Sequence, residues 1–330
     1  MKKLIFGIII SAIFVYLSMR GVEYSQMLRG FQDSNYIFLI PAIILFLSLS
    51  FLRSLRWGVI LSPLENIGQR KLFPITCIGY MTIALIPMRI GEVVRPYLLS
   101  TKSRIPLTSG LATIFVERVL DGITLLAILL FVILGSTVPD WLITVGQSFF
   151  ITFIILVILM LFLRFRKDLA VRILSPLLNK LPKRITRGIE TLIESFVEGF
   201  GIISDPTKLI CAIFLSVVIW VFSALAIYFL YCFQGLQLPL FSAFVVLVVT
   251  VIGISLPTAP GFIGNFQFGC IMALLIFGVS KNDAFSFSMV YYLSGIGINI
   301  LLGIVFLPFV RFSFKDIKSV WNHSLDPQKN

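Results

Sequence analysis

Charged residues and histidine are scarce in this chain of 330 residues. Only 13% of the residues are charged and one is a histidine, whereas 58% are hydrophobic. The mean hydropathy of +1.03 lies outside the range of soluble domains. We therefore predict an integral membrane protein. The lone His323 lies in a polar tail, which argues against histidine-based catalysis or metal binding.

Cysteine is also rare and is not arranged for a disulfide framework or a metal site. The four cysteines fall in or beside apolar stretches without C-x-x-C spacing, so we expect buried free thiols. The sequence has no phosphate-binding Walker loop, no nucleophile elbow and no histidine pair. We accordingly predict no catalytic residue, no metal and no cofactor, an interpretation that leans against an enzyme without deciding the question.

Acidic residues number 15 against 27 basic ones, which gives a net charge of +12. On a soluble surface such an excess would suggest nucleic-acid binding. Here the basic residues lie in short segments between apolar runs, a pattern typical of cytoplasmic loops. Eight of them fall between positions 164 and 187 with a single acid. We predict no nucleic-acid partner and cytoplasmic N- and C-termini.

The apolar runs predict an all-α, polytopic bundle of about eight spans. The first run is followed directly by Arg20 and lacks a small-residue cleavage site, so it is interpreted as an uncleaved membrane helix. Arg53 and Arg56 with Trp57 are expected to close the second run as an interfacial anchor. Nine runs cover residues 4–19, 36–52, 72–88, 106–134, 149–163, 209–232, 240–256, 262–279 and 285–308, of which 72–88 leads directly into a charged break and gives no continuous span.

A charged break interrupts the apolar pattern at residues 85–98. Arg89, Glu92 and Arg95 follow at three-residue steps, a spacing that places them on one face of a helix. Ionisable groups at membrane depth are costly and mark functional sites. Since Pro87 precedes them, we expect a broken or re-entrant helix, which is tolerated where it is buried in protein or lines a wet cavity.

A second charged group, Glu117, Arg118 and Asp121, lies in the following apolar run. If the helix begins near Pro106, Glu117 lies about 15 Å deep. If the span covers only residues 119–137, the three charges lie at the cytoplasmic edge. The sequence leaves both depths open.

The two breaks share a pattern that predicts an internal repeat. Residues 87–92 and 260–265 both read P-x-x-I-G-[E/N]. Paired Gly/Pro interruptions in two halves point to a transporter's central site; the alternative is a coincidence of helix breakers. We predict one membrane domain, 1–330, with halves 1–138 and 209–308. The second break is placed at 257–267, and a cytoplasmic tail at 309–330.

Between the halves, residues 164–204 are predicted to form a cytoplasmic amphipathic segment. An apolar stripe from Ile185 to Phe200 recurs at helical spacing beside Glu190, Glu194 and Glu198. Such a helix lies on the membrane or caps the bundle. The alternative is a helix that binds a partner.

The chemistry of the breaks suits an anionic head group. Broken helices expose N-terminal amides, and Arg95 or Arg118 can hold a phosphate through two hydrogen bonds. The alternative is that the charges only pair with one another and lock the bundle. The predicted substrate-binding residues are Arg89, Glu92, Arg95, Glu117, Arg118, Asp121, Pro257, Pro260, Gly261, Gly264, Asn265 and Gln267.

Three blocks carry a resemblance to a known family. They read P-x-R-x-G-E-x-x-R from Pro87, V-E-R-x-x-D from Val116 and L-P-x-x-P-G-x-x-G from Leu256. In order and spacing they resemble the lysylphosphatidylglycerol synthase transmembrane region family, also called flippase-like. The family's last block often has a second glycine and a glutamate where this chain has Phe262 and Gln267, so an acid is missing from the second half.

The resemblance implies a bacterial or archaeal plasma-membrane protein that handles lipids or polyprenyl-linked glycans. Name-giving members carry a soluble aminoacyl-transfer domain, whereas only residues 309–330 follow the last span here. We therefore expect a stand-alone member that does not carry out lysyl transfer in that way.

Three functions follow from these observations. The first is a lipid translocase for an anionic phospholipid or a polyprenyl-phosphate-linked molecule. The second is a membrane glycosyltransferase, with Glu23, Asp33 and Asp140 as scattered outer-face carboxylates. The third is a non-transporting scaffold that recruits a lipid or glycan biosynthetic enzyme. The expected partners are membrane lipids and, for the third function, that enzyme.

Overall fold

The structure of the protein, a computed structural model, describes residues 2–23, 32, 34–86, 91–135, 139–165, 194–255 and 260–310. These residues contain eleven α-helices and no strand. The helices are α1 Lys2–Met19, α2 Leu39–Leu61, α3 Gln69–Leu85, α4 Gly91–Ser100, α5 Leu107–Gly135, α6 Asp140–Phe165, α7 Pro206–Gln234, α8 Leu240–Ser255, α9 Asn265–Leu275, α10 Lys281–Tyr292 and α11 Ile298–Val310.

Five of the described helical segments are long and apolar enough to cross a membrane. They are Tyr36–Leu61, Leu107–Gly135, Asp140–Phe165, Pro206–Gln234 and Lys281–Val310, each of 26 to 30 residues. A span needs about 20 residues, so these lengths allow some tilt. Shorter apolar helices cover Ile9–Met19, Leu240–Ser255 and Pro260–Leu275. The prediction of an all-α, polytopic membrane protein is confirmed.

Two predicted boundaries are wrong. The second apolar run does not end at Leu52, because α2 continues to Leu61 and carries Arg56 and Trp57 into the protein interior. They are therefore not an interfacial anchor. The fifth run begins at Asp140 rather than at residue 149, since Leu142 and Gly146 already pack inside the bundle.

The first break forms a helical hairpin. Helix α3 ends at Leu85, and α4 starts at Gly91 and packs back along it. A Cβ at Gly91 would lie 2.3 Å from the amide nitrogen of Ile83 and 2.6 Å from the carbonyl oxygen of Thr82. Only glycine permits this approach of the two backbones.

The second break forms a hairpin of similar dimensions. Helix α8 ends at Ser255, a 3₁₀ turn covers Pro260–Phe262, and α9 packs back along α8. The first hairpin joins helices of 17 and 10 residues, and the second joins helices of 16 and 11. Both breaks thus lead into re-entrant helices. This match supports the internal repeat, although the division into two halves stays a prediction.

Other helices pack against each of the two hairpins. Helix α2 packs mainly on α7, α3 on α11, and α1 on α9. The rings of Phe14 and Phe268, 4.6 Å apart, join α1 to the second hairpin. Among the cysteines, Cys77 and Cys270 are buried as expected, whereas Cys211 is exposed. It lies on the apolar span α7, where a thiol can face lipid without cost.

The amphipathic segment is described only from residue 194 onward. There Glu194 and Glu198 are exposed, while Val197 and Phe200 are buried. The Ser109 hydroxyl of α5 donates a 2.6 Å hydrogen bond to the carbonyl of Ser195. This end of the segment packs on α5, and the remainder, like the tail 311–330, lies outside the described residues.

Candidate functional site

A buried carboxylate, Glu117 on α5, joins three helices. Its side chain has no exposed surface and accepts hydrogen bonds from Arg56 of α2 at 3.0 Å and from Arg95 of α4 at 3.0 and 3.3 Å. The Tyr80 hydroxyl of α3 donates a further bond at 3.0 Å. Since both arginines are 1% exposed, these are ion pairs in a dry interior, where each charge depends on its partners.

Asp121, one turn after Glu117, extends this cluster. It accepts from Arg56 Nη1 at 2.5 Å and Nη2 at 3.3 Å, and it lies 3.5 Å from Arg118. The same Arg56 donates to the Ser216 hydroxyl of α7 at 2.8 Å. Arg118 also donates to Glu117 at 3.2 Å, yet its side chain is 33% exposed. The cluster therefore has a sealed interior and one accessible cation.

Aromatic rings hold Arg95 in place. Its guanidinium carbon lies 4.3 Å from the centre of the Trp57 ring and 5.2 Å from that of Tyr80. A Cβ at Gly79 would lie 2.0 Å from Cγ of Arg95, so glycine opens the path for this side chain across α3. Arg95 thus ties α4 to α2, α3 and α5. This arrangement matches the bundle-locking alternative for Arg95 and Glu117.

A cavity of about 450 Å³ lies beside the cluster, between the two hairpins. Its charged lining residues are Arg53, Glu92, Arg118 and Asp121, and Tyr80 and Asn299 add polar groups. Most of the remaining lining is apolar, including Phe46, Leu49, Leu125, Leu129, Phe153, Leu247, Val251, Phe262, Phe266 and Tyr291. Such a space offers a polar contact for a head group and an apolar wall for a hydrocarbon chain.

The predicted first-half residues separate into two groups. Glu92, Arg118 and Asp121 line the cavity, whereas Arg95 and Glu117 lie behind it in the sealed cluster. Arg89 lies outside the described residues. The sequence left two depths open for Glu117, and the structure favours the deeper one, because α5 begins at Leu107 and Glu117 is buried inside the bundle.

Those predicted second-half residues that the structure describes shape the hairpin and do not line the large cavity. Pro257 lies outside the described residues, and Pro260 is exposed. Gly261, at φ +76°, leaves room for the Tyr292 hydroxyl, where a Cβ would approach to 2.7 Å. Gly264, at φ +89°, packs against the Ser11 carbonyl of α1.

Two polar side chains fasten the start of α9. Gln267 Oε1 accepts from the amide of Gly264 at 2.8 Å. Asn265 donates to the Gly253 carbonyl at 3.2 Å and accepts from the Ser11 hydroxyl at 3.4 Å. Because these groups satisfy buried backbone positions, we assign them to the hairpin's own stability. The second half contributes aromatic rings and the Asn299 side chain to the cavity lining, whereas neither of these two polar side chains of α9 lines it.

Sequence reasoning missed Arg53, Arg56 and Tyr80. Arg53 lines the cavity with its guanidinium 4.8 Å from the Tyr80 ring centre, and Arg56 carries the ion cluster. A signal was present, since the two arginines are three residues apart on one face and an apolar run resumes after them. An arginine followed by further apolar turns lies inside a span and not at its end.

The fold and the cavity define a class of protein. It is a polytopic membrane protein in which two re-entrant helical hairpins flank a largely apolar cavity with charged lining residues. Within this class the chain belongs to the family described as the lysylphosphatidylglycerol synthase TM region, whose model matches residues 4–314.

Relatives in archaea support this assignment. A UPF0104 membrane protein of Methanothermobacter thermautotrophicus is 22% identical over 301 residues, covering 86% of this chain and 89% of the relative. Two UPF0104 membrane proteins of Methanocaldococcus jannaschii are 25% and 24% identical, covering 64% and 84% of this chain and 86% of each relative. No solved structure matches the chain.

Proposed function

We propose that this protein is a lipid translocase that takes an anionic phospholipid or a polyprenyl-phosphate-linked molecule into the cavity between the hairpins. The observation that carries the proposal is the combination of accessible charge and apolar wall in one space of about 450 Å³. A water-soluble substrate has no use for so apolar a lining, whereas a lipid needs both parts. The site belongs, on this proposal, to a plasma-membrane protein.

Arg118 is the residue best placed to contact the phosphate. It is a third exposed, whereas Arg56 and Arg95 are enclosed by their carboxylate partners. Its contacts with Glu117 and Asp121 neutralise it while the cavity is empty, so it does not stand as a bare cation in an apolar space. Arg53, held on the Tyr80 ring, supplies a second positive charge.

The buried cluster has a supporting role in this proposal. Arg56, Arg95 and Glu117 link α2, α4 and α5, so the first hairpin is tied to the spans that carry the cavity charges. A group that positions a charge must itself be rigid, and buried, mutually bonded side chains are rigid. Substrate movement is then assigned to the cavity lining rather than to the cluster.

A proteoliposome assay tests the proposal. Purified protein is reconstituted with a trace of fluorescent phosphatidylglycerol, and a membrane-impermeant quencher reports which leaflet holds the probe. We expect the protein to accelerate exchange of this anionic lipid more than that of phosphatidylcholine. No acceleration across phosphatidylglycerol, cardiolipin and a polyprenyl phosphate would contradict the proposal and favour a scaffold.

Two glycines of one π-helical turn provide a matched pair of variants. Gly295 lines the cavity, with a Cβ position 3.6 Å from Phe46, whereas a Cβ at Gly297 meets nothing within 4 Å. We expect Gly295→Leu to obstruct the cavity and slow exchange about tenfold, since a leucine side chain would occupy much of the passage. Gly297→Leu should leave the rate unchanged. Equal rates in both variants would show that lipid does not pass through this cavity.

Charge removal gives a second pair. Arg118→Gln removes one of the two described cations that line the cavity, and Arg164→Gln removes a cation at the end of α6, where Arg164 donates to Ser204. A charge-assisted hydrogen bond contributes about 1.5–3 kcal/mol, so Arg118→Gln should weaken use of anionic lipid at least tenfold. The Arg164 variant should behave as the unmodified protein does.

A further inference from the structure

A second charged cavity, of about 320 Å³, lies where α3 begins and α11 ends. Among the residues that the structure describes, none lines both this cavity and the large one. Its wall consists of Gln69, Arg70, Lys71, Phe73, Pro74, Lys102, Phe306, Phe309 and Val310. The proposed translocation path makes no use of this space.

The charged residues described in the wall of this cavity are all basic. They are Arg70 and Lys71 in the first turn of α3 and Lys102 after α4, and none of the described lining residues is acidic. The Gln69 amide is engaged by Ser54, whose hydroxyl donates to it at 2.7 Å. Three cations around one space are complementary to a phosphate, and basic pockets between membrane helices bind anionic head groups.

A row of phenylalanine rings continues from the cavity along the outside of the bundle. Phe73 lies 5.2 Å from Phe306 and 5.9 Å from Phe51, and Phe306 lies 5.6 Å from Phe309, centre to centre. Phe51 is 47% exposed and Phe309 70% exposed. The row crosses α2, α3 and α11, and an exposed aromatic row on apolar helices is a surface that hydrocarbon chains cover.

The position of the cavity relative to the spans fits a head group. It lies at the end of Lys281–Val310, a segment apolar enough to cross the membrane, and at the first turn of α3. The end of a span lies at the level of the lipid head groups, where basic side chains are enriched. The phenylalanine row leads from this level toward the apolar part of the span.

We infer that this second cavity is a binding site for the phosphate of an anionic membrane lipid whose hydrocarbon chains lie along the phenylalanine row. The basic residues recognise the phosphate, and the rings recognise the chains. A soluble phosphate compound would satisfy only the first set of contacts. The inference does not depend on the proposed function, because the site is separate from the large cavity.

Native mass spectrometry of the detergent-purified protein with added dioleoylphosphatidylglycerol tests this inference. The test variant carries Arg70→Gln, Lys71→Gln and Lys102→Gln. Each basic residue near a lipid surface strengthens binding roughly fivefold, so losing three should weaken one binding event roughly a hundredfold. The measurement is repeated with Gly295→Leu added, which narrows the large cavity. A loss of equal size in both backgrounds is expected if the binding event belongs to the second cavity, whether or not the proposed function is correct.

A matched control removes three charges elsewhere. Arg20 and Arg104 are exposed, Lys208 is partly exposed, and none of the three lines this cavity. With these three changed to glutamine, phosphatidylglycerol binding should fall less than threefold. Equal weakening in both triple variants would overturn the inference, because bulk charge alone would then explain the binding. Undiminished binding by the test variant would overturn it as well.

Two further arms separate a lipid from a free phosphate and check folding. Glycerol 3-phosphate carries the head-group chemistry without chains, so it should fail to displace the lipid at equal concentration; effective displacement would refute the lipid assignment. Phe309→Ser should weaken lipid binding, whereas Phe165→Ser, at a position 65% exposed, should not. Retention of phosphatidylglycerol affinity by Phe309→Ser would refute the role of the rings, and an unchanged gel-filtration profile verifies that each variant is folded.

Discussion

Replacing Glu117 by glutamine tests whether the buried ion cluster holds the bundle together. Glu117 accepts hydrogen bonds from three arginines and Tyr80 at 3.0 to 3.3 Å. In the intact cluster Arg56, Arg95 and Arg118 face two carboxylates. After the substitution Asp121 is the one carboxylate of these two that remains for the same three cations.

The magnitude follows from burial. Removing one partner of a buried ion pair destabilises a protein by about 3–5 kcal/mol, because the remaining charge is left without solvent or counterion. Arg95 is affected most, since both of its described carboxylate contacts go to Glu117. Glutamine keeps one acceptor oxygen but turns an NH₂ group toward donors, so it recovers little of the loss.

The assay is the free energy of unfolding in mixed micelles titrated with sodium dodecyl sulfate. We expect Glu117→Gln to lower it by about 3–5 kcal/mol. The control is Glu198→Gln, a side chain exposed to the outside, which should change it by less than about 0.5 kcal/mol. A Glu117→Gln protein as stable as the control would refute the locking role of the cluster.

A double substitution tests whether charge balance is the cause. Arg95→Met combined with Glu117→Gln restores the excess of one positive charge in the cluster. The combined loss should therefore be smaller than the sum of the two single losses, by about 1–3 kcal/mol. Additive losses would mean that the two side chains act through packing alone.

Three other outcomes are expected. Gly91→Ala should lower the thermal unfolding temperature and abolish lipid exchange, because the new Cβ would collide with the backbone of Ile83. Gly68→Ala should change neither, because a Cβ at Gly68 meets open space. Gln267→Ala should lower the free energy of unfolding by about 1–3 kcal/mol in the same titration, because the buried amide of Gly264 loses its hydrogen-bond acceptor. Glu92→Gln should slow lipid exchange more than Glu198→Gln does, since of these two only Glu92 lines the large cavity. Equal exchange rates in the two variants would show that the substrate site lies elsewhere.

The charged residues of α5 have two roles on our proposal, one in holding the bundle together and one in contacting a ligand. Sealed pairs around Glu117 give rigidity, and Arg118 keeps a third of its surface for a ligand. The sequence-based alternatives of a binding site and a bundle lock are therefore not exclusive. On our proposal neighbouring residues of α5 divide these roles between them.

Several features followed from the sequence alone. Length and apolarity of the runs predict membrane helices whatever their neighbours, because a backbone in lipid must bond to itself. The breaks at both hairpins were also predicted, since proline and glycine interrupt a helix through their own backbone chemistry. The family was recognised from three short blocks, and the family model confirms it.

Other features required the tertiary structure. Whether Arg56 anchors at an interface or pairs inside depends on where α5 lies, and no local pattern encodes that contact. The same holds for Arg95 and Arg118, which are both arginines near a charged group in the sequence. In the structure Arg95 is sealed in an ion pair with Glu117, whereas Arg118 lines the cavity. Side-chain type is local, but burial and partner choice are set by helices far apart in the chain. The sequence by itself determined which segments enter the membrane and where they break, while packing alone decided which charges meet each other and which face the cavity.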